Sequence, residues 1–377
     1  AHRRYGSGRL SLAELVAPAI RLARDGIAVD EDLADSLPRA AQRLARFPSS
    51  RRIFLKPDGT APAPGELLVQ EDLARSLEAI AQQGPAGFYE GATAARIVAA
   101  LGQHGGIMTT EDLRAYRPVI RDVVRGTYKG YAIASMPPPS SGGVHLVQML
   151  NLLEPLDLGR RGHNSAETIH LMVEAMKLAY ADRAQFLGDP DSVAVPVRGL
   201  TSRAYADGLR ARIDPERARP SAEIRAGDPA PHEGEQTTHF SVVDRFGNAV
   251  SNTYTLNFSY GLGLVAEGTG ILLNNEMDDF AARAGAANAF GLVQGAANLP
   301  GPGKRPLSSM TPTILFRDGK VAMVTGSPGG SRIITITLQT ILNVVDHGLN
   351  VAEAVAAPRI HHQWLPDAID AESGLSV

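Results

Sequence analysis

Two neighbouring threonines, Thr237 and Thr238, stand directly after Gln236 at the start of a stretch whose side chains alternate with a period of two. From Thr238 to Val243, Thr238, Phe240 and Val242 interleave with His239, Ser241 and Val243, the pattern of a strand. Asp244 to Asn248 is turn chemistry, and Ala249 to Thr255 alternates again, so the two runs predict a hairpin. With Val243 facing Ala249, counting back sets Thr237 opposite Thr255, within side-chain hydrogen-bonding reach. A threonine hydroxyl is a weak nucleophile until a base takes its proton. One solution makes the threonine the first residue of a chain, so that its own α-amine is that base. The same pair also suits the plain opening of an edge strand, where β-branched residues are favoured in any case.

Other groups could serve such chemistry. Thr325 to Ser331 contains Gly329 and Gly330 between a strand and a long apolar helix. Consecutive glycines there let backbone N–H groups converge on a phosphate or an oxyanion, helped by the positive helix end. The lysine and hydroxyl of a phosphate loop are missing, and a tight turn needs the same glycines. Glu276 and Asp279 lie three apart, with Asn257 upstream. Two carboxylates and an amide could grip an ammonium group or a metal, but hard cations call for more oxygen ligands in one loop. Ser308 and Ser309 sit in a proline-bounded loop. Met136 to His145, with three prolines before Gly142 and Gly143, reads as a rigid strand-to-helix corner or an anion site. The ten histidines, His361 and His362 among them, show no metal-ligand spacing.

Taken together, Gln236 to Asp244, Thr253 to Asn257, Gly270 to Phe280, Lys304 to Thr313 and Thr325 to Arg332 resemble a γ-glutamyltranspeptidase, a family of N-terminal-nucleophile hydrolases. The resemblance runs from about residue 5 to the end and is densest over 237–364. It implies an α+β fold, the N-terminal-nucleophile hydrolase αββα sandwich. It implies self-cleavage between Gln236 and Thr237 into pieces 1–236 and 237–377, which stay together as an intertwined heterodimer. By the same resemblance Thr237 is the nucleophile and Thr255 orients it, while Gly329 and Gly330 supply the oxyanion hole. Asn257, Glu276 and Asp279 hold the substrate α-amino group, and Ser308 and Ser309 its α-carboxylate. The family adds to that clamp an arginine from a segment N-terminal to residue 1. Ala281 to Gly295 corresponds to a lid, with Phe290 where relatives carry tyrosine; a phenyl ring cannot donate a hydrogen bond, so the preferred acyl group is left open.

The implied function is hydrolysis or transfer of the γ-glutamyl group of glutathione-like amides, to water or to an amino-acid or peptide amine, with no cofactor. A periplasmic or secreted location follows from the same resemblance. The alternatives are an amidase acting on another acyl group, such as a glutaryl β-lactam or poly-γ-glutamate, and a catalytically inactive remnant. Ala1 to Gly6 is neither a signal peptide nor a cap, so the chain reads as a fragment of the family precursor.

Composition narrows the field. The 377 residues are 44% hydrophobic and 20% charged, enough for a large core of one or two domains. A net charge of −3 with interspersed signs gives no electrostatic footprint for nucleic acid. With no cysteine, disulfides, thiol chemistry and cysteine-zinc sites are excluded, and no run of eighteen apolar residues predicts a membrane span.

The elements that must position these groups follow from periodicity. Ser11 and Glu14 form a capping box for a helix closed by Gly26. Ala34 to Leu44 reads as a helix broken by Pro38, Gln70 to Gln83 and Gly91 to Leu101 as further helices, and Thr110 as the cap of a short one. Short strands are expected at 123–124, 131–134 and 268–273, with a helix from Val144 to Leu153. Ser165 to Leu187 carries a core stripe of Ile169, Met172, Met176 and Tyr180. Residues 189–235, rich in proline, arginine and alanine, read as a flexible surface segment. Ala281 to Pro302, rich in alanine and glycine, reads as a mobile loop. Pro312 to Phe316 and Val321 to Thr325 flank an Asp-Gly turn, and Ser331 to Asp346 is a helix apolar almost all round, hence buried.

Overall fold

The computed structural model describes residues 1–229 and 238–375, so Gln236 and Thr237 lie outside the described residues. The chain divides into two compact units, residues 1–120 with 258–275, and residues 121–257 with 276–377.

The first unit is helical. Helices α1 (Leu12–Asp25), α2 (Glu31–Leu44), α3 (Pro48–Phe54), α4 (Glu71–Gln83) and α5 (Gly91–Gly102) are joined by a minimal ladder of β1 (Ile27–Ala28) with β2 (Leu67–Leu68). The Ser11 hydroxyl accepts from the Glu14 N–H, and the Glu14 carboxylate accepts from the Ser11 N–H. The expected break at Pro38 does not occur: α2 runs through it. Proline removes one ladder donor, but the Asp30 cap on the Leu33 N–H and the buried face of Leu37, Ala40 and Leu44 outweigh that loss. The short helix at 110–115 is capped by Thr109, not Thr110, because Asp112 lies three residues on and closes a capping box. Leu37, Leu44, Phe54 and Val265 form the core of this unit.

The second unit is layered. Strands β3 (Val124–Tyr128) and β4 (Tyr131–Ser135) form one hairpin. Farther along the chain come α6 (Gly142–Leu153), α7 (Ala166–Phe186), α8 (Arg203–Arg210), β5 (Thr238–Val243), β6 (Ala249–Tyr254), β7 (Thr313–Arg317), β8 (Lys320–Thr325) and α9 (Ile333–Val345). An antiparallel sheet runs in the order β8, β7, β4, β3. Its β7–β8 turn sets Asp318 and Gly319 at φ 51° and 75°, as an Asp-Gly hairpin requires. Helix α6 packs on β3 and β4, and α7, α8 and α9 pack against α6; Leu146, Leu150, Met176, Ile334 and Leu338 share one core with Ile133 and Leu315. Every residue of α6 is buried; each large aliphatic side chain so placed contributes about 1.5–3 kcal/mol.

The β5–β6 hairpin packs against β7 and β8. Its register is the expected one, from Val243 opposite Ala249 to Thr238 opposite Tyr254 without a slip. The 237–255 pair itself lies outside the described residues.

Two stretches depart from expectation. The described part of 189–235 is folded onto the core rather than loose: Asp189, Leu200, Ser221 and Ile224 are fully buried. Polar and charged side chains hold its backbone, and apolar periodicity does not register such partners. The 281–302 loop is also tied down. Ala281 and Asn298 are fully buried, and Phe290 packs against the core with its carbonyl accepting from Gln363 Nε2 at 3.0 Å.

Candidate active site

The second β5–β6 strand delivers Thr255 and Asn257. The Thr255 hydroxyl accepts from the Asn257 N–H at 2.7 Å, a local bond that folds the chain back as it leaves the sheet. Asn257 takes φ 73°, a left-handed conformation that asparagine tolerates better than most residues. Its buried amide donates from Nδ2 to Asp279 Oδ1 at 3.1 Å. Asp279 is fully buried on a 3₁₀ turn, Glu276–Asp279. Three of the expected residues thus form one connected chain from Thr255 through Asn257 to Asp279, which lies 22 residues beyond Asn257. Glu276 opens the same turn, and burial raises its carboxyl to about 7. An acid in that state is poised to ionise when a cation arrives.

Ser308 and Ser309 are held by their own scaffold. Ser308 donates its N–H to the Pro139 carbonyl at 2.9 Å, and its carbonyl accepts from the Ser141 N–H at 2.9 Å and the Ser140 hydroxyl at 2.9 Å. The Ser308 hydroxyl accepts from the Met310 N–H, and Ser309 is fully buried. The proline corner at 136–145 is therefore the rigid support of this loop.

Gly329 and Gly330 adopt φ 129° and 64°, which side-chain-bearing residues seldom take. Gly330 then begins a 3₁₀ turn, Gly330–Arg332, that leads directly into α9. The start of this glycine segment lies against the hairpin. Ser251 Oγ donates to the Thr325 carbonyl at 2.9 Å, and a Cβ on Gly326 would collide with the His239 ring. Burial lowers the pKa of His239, whose Nδ1 and Nε2 sit 2.9 Å from the Thr253 and Ser241 hydroxyls.

Sequence reasoning missed His239, Tyr180 and Asp189. Tyr180 counts as core by spacing, yet its hydroxyl donates to the Ser331 carbonyl beside the paired glycines. Asp189 opens the stretch read as a flexible surface segment, yet it accepts the Arg305 N–H at 2.8 Å and fixes the start of the Ser308–Ser309 loop. No local pattern marks either role. Among the described residues, no group of three or more His, Asp and Glu side chains is placed to hold a metal ion.

Two positive-φ glycines leading into a helix, a buried carboxylate–amide pair and two scaffolded serines suit acyl transfer to or from an amino-acid-like substrate. The family model described as γ-glutamyltranspeptidase matches residues 1–377. The chain is 54% identical over 370 residues to the glutathione hydrolase proenzyme of Escherichia coli strain K12, which covers 98% of this chain and 64% of that one. It is 41% identical over 354 residues to the acylase ACY 1 proenzyme of a Pseudomonas strain, SE83, covering 94% and 61%. The crystal structure of cephalosporin acylase from Bacillus halodurans superposes with a TM-score of 0.86 at 29% identity, over all of this chain and 66% of that one. The αββα class expected from sequence holds. The chain spans somewhat less than two thirds of the length of these two sequence relatives.

Proposed function

The chain belongs to the γ-glutamyltranspeptidase family, and from that premise we propose that it hydrolyses or transfers the γ-glutamyl group of glutathione-like amides. The Thr237 hydroxyl attacks the γ-carbonyl while the Thr237 α-amine takes its proton and returns it to the leaving amine. The N–H groups of Gly329 and Gly330 stabilise the oxyanion. Water or an amino-acid amine then opens the acyl-enzyme. Asn257, Glu276 and Asp279 hold the substrate ammonium, and Ser308 and Ser309 its carboxylate. Phe290 belongs to the lid over the acyl group.

The observation that carries this reading is the connected Thr255–Asn257–Asp279 chain at the end of an unslipped hairpin. The described ladder stops one residue short of Thr237 on one strand and of Thr255 on the other. Inside an intact chain the Thr237 nitrogen is an amide and cannot act as base. Freed by a cut after Gln236 it becomes an α-amine of pKa about 8, suited to its task. The cut falls within the second unit, so pieces 1–236 and 237–377 would both build it, as a heterodimer. The word proenzyme in the names of the relatives agrees with such maturation. A periplasmic or secreted location belongs to the same reading.

A second reading, an amidase for a different acyl group, is favoured by the acylase relatives and by Phe290 in place of tyrosine. One experiment tests both. The full-length precursor should separate on a denaturing gel into two pieces, the smaller starting at Thr237, and should turn over a γ-glutamyl anilide faster than a glutaryl anilide. Thr237→Ala should stay in one piece and be inactive. Uncut wild-type precursor that still turns over either anilide would sink the mechanism; preference for the glutaryl compound would establish the second reading.

A further inference from the structure

The turn that carries Asp279 cannot hold itself. Glu276–Asp279 is a single 3₁₀ turn, too short to be stable alone and with poorer hydrogen-bond geometry than an α-helix. Its last carbonyls find no partner inside the turn. The hold comes from Asn298, 19 residues further along. Asn298 Nδ2 donates to the Asp279 carbonyl at 2.7 Å, and the Asn298 carbonyl accepts the Ala281 N–H at 3.0 Å. One residue thus grips the chain on both sides of Phe280, next to the side chain that pairs with Asn257.

Asn298 is fully buried, and its Oδ1 has no hydrogen-bond partner among the described residues. The two groups that Nδ2 meets, the Asp279 carbonyl and Gln294 Oε1, are both acceptors, so turning the amide over would set oxygen against oxygen. An apolar side chain would avoid burying that second acceptor. The amide is kept for its donor. Asn298 is itself held from two directions. It ends the 3₁₀ turn Ala296–Asn298, and the Gly295 N–H just before that turn donates to the Ala184 carbonyl of α7 at 2.7 Å. From the other side, Lys304 Nζ donates to the Leu299 carbonyl at 2.8 Å and to the Ala297 carbonyl. One ammonium group therefore pins the carbonyls on either side of Asn298, on the stretch that runs on through Arg305 to Ser308 and Ser309.

We propose that Asn298, braced by Lys304, is a positioning residue that holds Asp279 where it can take the substrate ammonium, and so sets the preference for an acyl group that carries one. The inference rests on the reading of Asn257, Glu276 and Asp279 as the ammonium site. A charge-assisted hydrogen bond depends on where the carboxylate oxygens stand, and a carboxylate that drifts with a loosened turn loses it. A molecule without an ammonium does not feel the drift.

The test compares two inhibitors of γ-glutamyl anilide turnover by the full-length, self-cleaved protein. L-glutamate is the hydrolysis product, and glutarate is the same acid without the ammonium. In Asn298→Ala, inhibition by L-glutamate should weaken roughly tenfold, the weight of one buried hydrogen bond. Inhibition by glutarate should change by less than about twofold, and the anilide should lose through KM with kcat held within about twofold. Lys304→Met leaves the Asn298 amide in place and should move the ratio of the two inhibition constants by roughly threefold in the same direction; its result decides if Asn298→Ala does not fold. A general loosening of the fold, or of the Ser308–Ser309 loop, would weaken both inhibitors together, and such an unchanged ratio overturns the assignment. Wild-type enzyme inhibited as tightly by glutarate as by L-glutamate removes the ammonium reading itself, and the role of Asn298 with it.

Discussion

The two units bury the same kinds of apolar side chain and very different polar ones. Among the described residues of the first unit, the buried polar groups are Ser49, Ser50, Ser76, Thr93, Thr269 and Asn275, none of them ionisable. Its charges pair at the surface, as Arg24 does with Glu78 and Arg52 with Glu267. The second unit buries Glu174, Lys177, Asp182, Arg183, Asp189 and Asp279, with His145, His361 and His362. Burial there raises Asp182 to about 6 and lowers His145 to about 3. A core can be built without such costs, and the first unit is one. In the second unit the buried charges hold backbone at particular places: Arg219 and Gly227 on one side, Arg305 on the other. Ionic burial therefore marks where the fold spends stability on position.

That contrast can be broken by removing one partner from each kind of pair. Lys177→Met leaves Glu174 buried without its cation and should cost about 3–5 kcal/mol, read as a lower urea midpoint. If the loss stays under about 1 kcal/mol, the pair is no more than surface chemistry.

A smaller effect should come from Glu276. Its folded pKa is raised by burial to about 7 from 4.5, so the folded state binds the proton more tightly than the unfolded one. The contribution is fully present below pH 4.5 and is lost as pH rises through about 7. In Glu276→Gln, stability should fall less over that window, by up to roughly 3 kcal/mol. Thermal melts of both proteins at matched pH values would decide; parallel curves would show that Glu276 ionises as freely as a surface residue.

The smallest change is expected in the first unit. Arg52→Ala removes one partner of an exposed pair, with side chains 56% and 62% accessible, and should alter stability by under about 1 kcal/mol. A loss as large as that for Lys177→Met would erase the distinction between the units.

The hairpin register is legible in the sequence because strand alternation and turn chemistry both act between near neighbours. Val243 opposite Ala249 follows from those alone. The Ser11–Glu14 capping box and the Asp318-Gly319 turn are legible for the same reason. Pro38 misleads because its local cost is real but smaller than the burial of Leu37, Ala40 and Leu44, which depends on packing partners.

What the linear chain determined is thus the set of reactive residue types, the strand and turn that present them, and the family pattern that ties the motifs together. Tertiary structure alone decided that Tyr180 would reach the Ser331 carbonyl, that Asp189 would hold the Arg305 N–H, and that Glu174, Lys177 and Asp182 would face 219–227 instead of solvent. A charge in a helix carries the same letter whether it is solvated or buried. Its environment is set by segments tens of residues away, and hydrophobic periodicity, which registers apolar positions, is blind to a carboxylate whose partner is a distant backbone N–H.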